Sequence, residues 1–173
     1  GDVRMGEDLY LAPDRVDQVL QRTAAAFVQV TRAQHAVIPA FAGGRACWSY
    51  GLWAPGTLVR TQSDSASQLS PAMYRDQILP HDRTIFGAFD HSIIDLHSAG
   101  TLHLCPVLLE VEELDAISIT MDPYANAPTL EALLPTLRSI LERKSLSLCG
   151  GLTLAQVDWL KRMLPSGCLC INS

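Results

Sequence analysis

His97 closes the run Ile93-Ile94-Asp95-Leu96 and opens the turn Ser98-Ala99-Gly100. A histidine at such a junction has three chemical uses. It can ligate a metal, contact a substrate or move a proton, or bond nearby backbone and order the turn. Three further groups stand at comparable places. Asp122 follows the run 116–121 and precedes Pro123, Cys149 precedes Gly150-Gly151, and Asp64 lies in QSDSAS before Ser70-Pro71. A His, an Asp and a Cys converging on one rim would suit zinc, with His97 and Cys149 as its ligands. The plainer reading of Cys149 is a small buried residue. Asp64 is either a turn carboxylate or an acceptor for a cationic or N–H-bearing substrate. Asp122 is a turn former or a substrate contact. Arg60 pairs a substrate carboxylate, or is a solvated charge at a strand end. Trp48, Tyr50 and Trp53, all within CWSYGLWAPG, line a pocket for a flat ligand or pack their own loop.

The elements that must position these groups can be read from the pattern. Pro13 and the spacing of Val16, Val19, Leu20, Phe27 and Val30 predict a first helix over 13–33 with those residues inward. The apolar run 36–41 reads as a buried strand, with Pro39 against it. Residues 43–68 read as a long loop, with a short strand at 57–60. Ser70-Pro71 caps a helix that Pro80 kinks. Strands follow at 92–96, 116–121, 146–149 and 168–171. Between them helices are expected at 101–113, at 128–144 with a leucine stripe, and after the capping box Thr153–Gln156. Cys168 and Cys170 share a strand face, as core or as a metal-binding pair.

Strands alternating with helices imply parallel strands and crossover helices, hence an α/β fold. Five such strands make an open sheet or part of a (β/α)8 barrel. In either fold reactive groups gather at the strands' C-terminal ends, which is why these junctions matter.

The bulk numbers bound the partners. The 173 residues suit a single domain, and 48% apolar content suits a packed core. A net charge of −5 without basic clusters argues against nucleic acid. No apolar run is long enough to span a bilayer, so no membrane partner is expected. Five cysteines, an odd number with no Cys-x-x-Cys, point to a reducing, cytoplasmic setting. Position 1 is not Met, which is read as the mark of a fragment or a processed chain.

The segments Leu69-Ser70-Pro71-Ala72-Met73-Tyr74, Ile78-Leu79-Pro80 and His97-Ser98-Ala99-Gly100, with Cys149-Gly150-Gly151-Leu152, resemble motifs of the uroporphyrinogen decarboxylase superfamily. The resemblance runs from about Asp8 to Ser173. It implies a partial TIM (β/α)8 barrel, roughly strands four to eight. It also implies a cofactor-free lyase that decarboxylates a porphyrinogen in tetrapyrrole metabolism, with Asp64 and His97 as catalytic groups. Trp48, Tyr50, Trp53, Arg60 and Asp122 would then face the small-molecule substrate. Related corrinoid methyltransferases use zinc held by a His-x-Cys pair and a later Cys. Here Ala99 stands at the first Cys position, which turns the expectation away from zinc and leaves His97 and Cys149 as the alternative. A partial barrel leaves sheet edges that a homodimer would cover, and an inactive remnant is the third reading.

Overall fold

The computed structural model describes residues 2–47, 51–165 and 167–172. Its first two helices are α1 (Asp2–Leu11) and α2 (Pro13–Val37). A hairpin of β1 (Gly44–Cys47) and β2 (Leu52–Pro55) follows. Then comes β3 (Leu58–Gln62), and a helical segment made of α3 (Pro71–Met73), a π turn (Tyr74–Ile78) and α4 (Leu79–Phe86). The remaining elements are β4 (His91–His97), α5 (Cys105–Leu108), β5 (Ala116–Thr120), α6 (Leu130–Leu141), β6 (Ser145–Cys149), α7 (Leu154–Met163) and β7 (Leu169–Asn172).

Strands β3 to β7 form one parallel sheet whose spatial order equals their chain order. The expected α/β class with parallel strands and crossover helices is what the chain adopts. The two faces of this sheet differ in kind. Val59, Ile94, Leu96, Ile117, Ile119, Leu146 and Leu148 share one face and pack into the apolar clusters with the helices. Each of the fully covered ones is worth about 1.5–3 kcal/mol of transfer free energy. The opposite face carries Arg60, Gln62, Asp95, His97, Ser118, Thr120, Ser147 and Cys149, and contributes nothing to either cluster. That alternation aims the chemistry-bearing residues away from the helices.

Several elements depart from the sequence expectation. The run 36–41 is not a strand. Helix α2 absorbs Ala36 and Val37, then Ile38 turns extended because it precedes Pro39, and Phe41 keeps only a bridge to Gly44. The first strand of the sheet is β3, which overlaps the short strand expected at 57–60 and runs on to Gln62. Helix α2 buries Ala24 with Leu20 and Val28 packed inward, while Val19, Phe27 and Val30 are exposed. Helix α1, with Leu9 buried, had no expectation. The segment 101–113 holds only a 3₁₀ turn (Leu102–Leu104) and α5. Its apolar residues are buried on more than one side, and Glu110 and Val111 close tighter i→i−3 bonds to Val107 and Leu108. The kink expected at Pro80 is taken up by the π turn before it, where Leu79 N–H reaches back to the Tyr74 carbonyl. Among the described residues no helix is long and apolar enough to cross a membrane.

The caps at Ser70 and Thr153 form as read. Ser70 Oγ accepts from Met73 N–H, and Thr153 and Gln156 bond reciprocally.

Candidate functional site

The C-terminal ends of β3, β4 and β5 bring one polar network together. Cross-strand rungs pair Gln62 with Asp95 and His97 with Thr120. Asp122 lies two residues past Thr120 and turns back over the end of β4. His97 Nδ1 is 2.7 Å from Asp122 Oδ1. The other oxygen of Asp122 accepts Ala99 N–H at 2.9 Å and Ser98 Oγ–H at 3.4 Å, while Asp122 N–H donates to Ser98 Oγ. His97 N–H donates to Thr101 Oγ1 at 2.8 Å. The Ser-Ala-Gly turn therefore serves as a cradle for the Asp122 carboxylate. Position 99 contributes its backbone N–H to that cradle, which alanine supplies.

Asp122 has a side chain only 4% exposed, while the ring of His97 is 33% exposed. The other ring nitrogen, Nε2, faces Gln62 and Asp64 on the β3 side. His97 is raised above its ordinary pKa, first by the Asp122 hydrogen bond, against burial, with Asp64 and Asp95 adding negative potential. Burial pushes the Asp122 carboxyl upward, but the bonds from His97, Ala99 and Ser98 together outweigh it and hold the group below its usual range. A carboxylate bonded to one ring nitrogen in this way fixes the imidazole's orientation and leaves the other nitrogen able to take up or release a proton.

On the β3 side, Asp64 opens a 3₁₀ turn (Asp64–Gln68) and places Oδ1 3.6 Å from His97 Nε2. Its side chain is 63% exposed. Gln62 bridges the two, with Nε2 at 2.9 Å from both Asp64 oxygens and 3.2 Å from His97 Nε2. Arg60 donates to Gln62 Oε1 at 2.6 Å and to Asp95 Oδ2 at 3.2 Å. Thr120 Oγ1–H donates to the same Asp95 carboxylate.

The structure thus joins Asp64, His97, Asp122 and Arg60, four of the residues singled out in the sequence. It turns Arg60 toward Asp95 and Gln62. Trp53 lies elsewhere. It sits on β2 and lines a cavity of about 350 Å³ with His91, Asp115, Ser145 and Cys168, at the N-terminal ends of the strands. Its indole N–H donates to the Phe41 carbonyl at 2.9 Å. β4 alone separates the two ends by roughly 20 Å. Trp48 and Tyr50 fall outside the described residues. Cys149 ends β6, with its sulfur 3.7 Å from Ser118 Oγ and 3.6 Å from Ser147 Oγ. Strand β5 stands between it and His97. Among the described residues no three His, Cys, Asp or Glu groups come together to hold a metal.

Gln62, Asp95, Thr120 and Ser98 belong to the site and were not singled out. Asp95 carried a signal: a carboxylate inside an apolar strand, two residues before His97 and so on its face. Comparison with protein-family models, curated proteins and solved structures gives no match.

Proposed function

We propose that the chain is a lyase of the uroporphyrinogen decarboxylase type, with His97 as its proton-transfer group. The observation that carries this reading is the His97–Asp122 pair at the C-terminal rim of a parallel sheet, on a ring one-third exposed. In such a reaction the bond from carbon to carboxylate breaks and CO2 leaves. The electron pair passes into a pyrrole ring that prior uptake of a solvent proton at a ring carbon has made electron-poor, and that ring proton is released once the side-chain carbon is reprotonated. The carbon then regains a proton, which protonated His97 supplies from Nε2, and Asp122 stabilises the imidazolium before that transfer. The exposed Asp64 carboxylate is suited to accept an N–H of a pyrrole-like substrate. No step calls for a metal or an organic cofactor.

The fold reading is that of a partial (β/α)8 barrel, strands four to eight. It is supported by strand order equal to chain order, with helices on one face and polar groups on the other. Strands β3 and β7 then offer the edges on which further strands, or a second copy, would close.

The test is anaerobic incubation of the full-length protein with an octacarboxylic porphyrinogen, counting carboxyl groups in the products. Turnover should fall about 10²–10⁴-fold in His97→Ala. Absence of both turnover and porphyrinogen binding in the wild type rejects the reading. A stable dimer in that case would favour a binding module.

A further inference from the structure

Gln62 carries an amide whose orientation is settled by its neighbours. Arg60 has only donors, so the atom it meets at 2.6 Å is the amide oxygen. The amide nitrogen then faces Asp64, whose carboxylate accepts at 2.9 Å, and His97 Nε2 at 3.2 Å. The other ring nitrogen of His97 faces the Asp122 carboxylate at 2.7 Å, so it carries the proton. An NH2 group directed at Nε2 is compatible with a lone pair there and opposes a second N–H.

We infer that Gln62 is a positioning residue that holds His97 Nε2 as a free lone pair in the resting site, with Arg60 setting the direction of its amide. Protonation of Nε2 then requires the ring to exchange Gln62 for Asp64, whose Oδ1 is 3.6 Å away. The charged groups around the ring are Asp122 beyond β5, Asp64 beyond β3, Asp95 on β4 and Arg60 on β3. The three carboxylates favour the imidazolium, and the Gln62 amide is the neutral group set against it. The inference rests on the proposed role of His97 only for its catalytic consequence, since the contacts concern the free protein.

The experiment is an NMR titration of the His97 ring nitrogens in ¹⁵N-histidine-labelled full-length protein, assigned by loss of the signal in His97→Gln. It needs no substrate, so it stands apart from the turnover assay. Gln62 is exposed, and Gln62→Met should leave the fold intact while raising the His97 pKa by about 0.4–1 unit, the worth of one neutral hydrogen bond. Gln62→Glu, which replaces the donor with a charged acceptor, should raise it further. In the wild type at high pH the shifts should report Nδ1–H with a bare Nε2. An unchanged pKa in Gln62→Met overturns the inference, even if Gln62→Glu shifts it. So does a wild-type ring whose neutral form carries its proton on Nε2.

Discussion

His97 ends β4 and Asp122 follows the end of β5, 25 positions later, and they meet at 2.7 Å because the rung from His97 to Thr120 leaves Asp122 just past the strand end. The carboxylate then folds back under the turn that follows His97. The contact depends on the turn that directly follows β4 and on Asp122 coming only two residues after the end of β5.

That pairing sets the titration of the ring. Asp122→Asn keeps the shape of the side chain and removes the charge that holds His97 above its ordinary pKa. The His97 pKa should fall, as read by NMR. The sign for stability follows from the raised folded-state value. The contribution is fully present below the unfolded-state pKa of about 6.5 and is lost as pH rises through the folded value. Wild-type protein should therefore lose part of its thermal midpoint advantage over Asp122→Asn on going from about pH 6 to pH 9.

A second titrating group lies under the helices. Tyr74 is fully buried on the π turn and donates to Asp82 Oδ2 at 2.5 Å. Burial pushes the Asp82 carboxyl up to about 6, against the Tyr74 bond and the nearby His81. The folded state thus holds a proton that the unfolded chain has released, and unfolding free energy should decrease as pH rises from about 4 to 6. The full loss is roughly 3 kcal/mol. Asp82→Asn should flatten this slope in urea melts across that range.

Lys144 reaches back from the end of α6 to the turn before β5. Its Nζ donates to the Val111 and Leu114 carbonyls, both at 2.6 Å. Burial depresses its pKa in spite of Asp115 and Glu110 nearby. Lys144→Met leaves two carbonyls without this donor and should cost about 1–3 kcal/mol, measured by the denaturant midpoint.

Leu137 is completely buried on α6 beneath the apolar face of the sheet. Leu137→Ala should destabilise by about 2–5 kcal/mol in chemical denaturation and leave the His97 titration unchanged. A shifted titration would show that the rim and this core layer are coupled.

Strands β4, β5 and β6 were readable because each is an apolar run stopped by a turn former. β3 was read in part, at 57–60, and its last residues were not: Thr61 and Gln62 are polar, and the strand lies at the sheet edge with one face serving the site. The rule that reactive groups gather at strand ends found Asp64, His97 and Asp122. It missed Gln62 and Thr120, whose roles depend on which neighbour each rung provides. Trp53 was misplaced because the β1–β2 hairpin carries it to the other end of the strands, a turn of the chain that local pattern does not encode. Helix α2 was found, and of its expected stripe Val16 and Leu20 pack inward, but Val19, Phe27 and Val30 are exposed, because packing against β3 and α4 selects Ala24 and Val28.

Because sheet order equals chain order, each strand bonds only to the strands immediately before and after it in sequence. Assembly has a direction as a result. β3 and β4 can pair as soon as both exist, and every later strand joins an edge that is already built. Each joining step closes a loop of one crossover, so the entropic cost is similar from one strand to the next. During synthesis from the N-terminus, no strand of this sheet waits for a partner from a distant part of the chain.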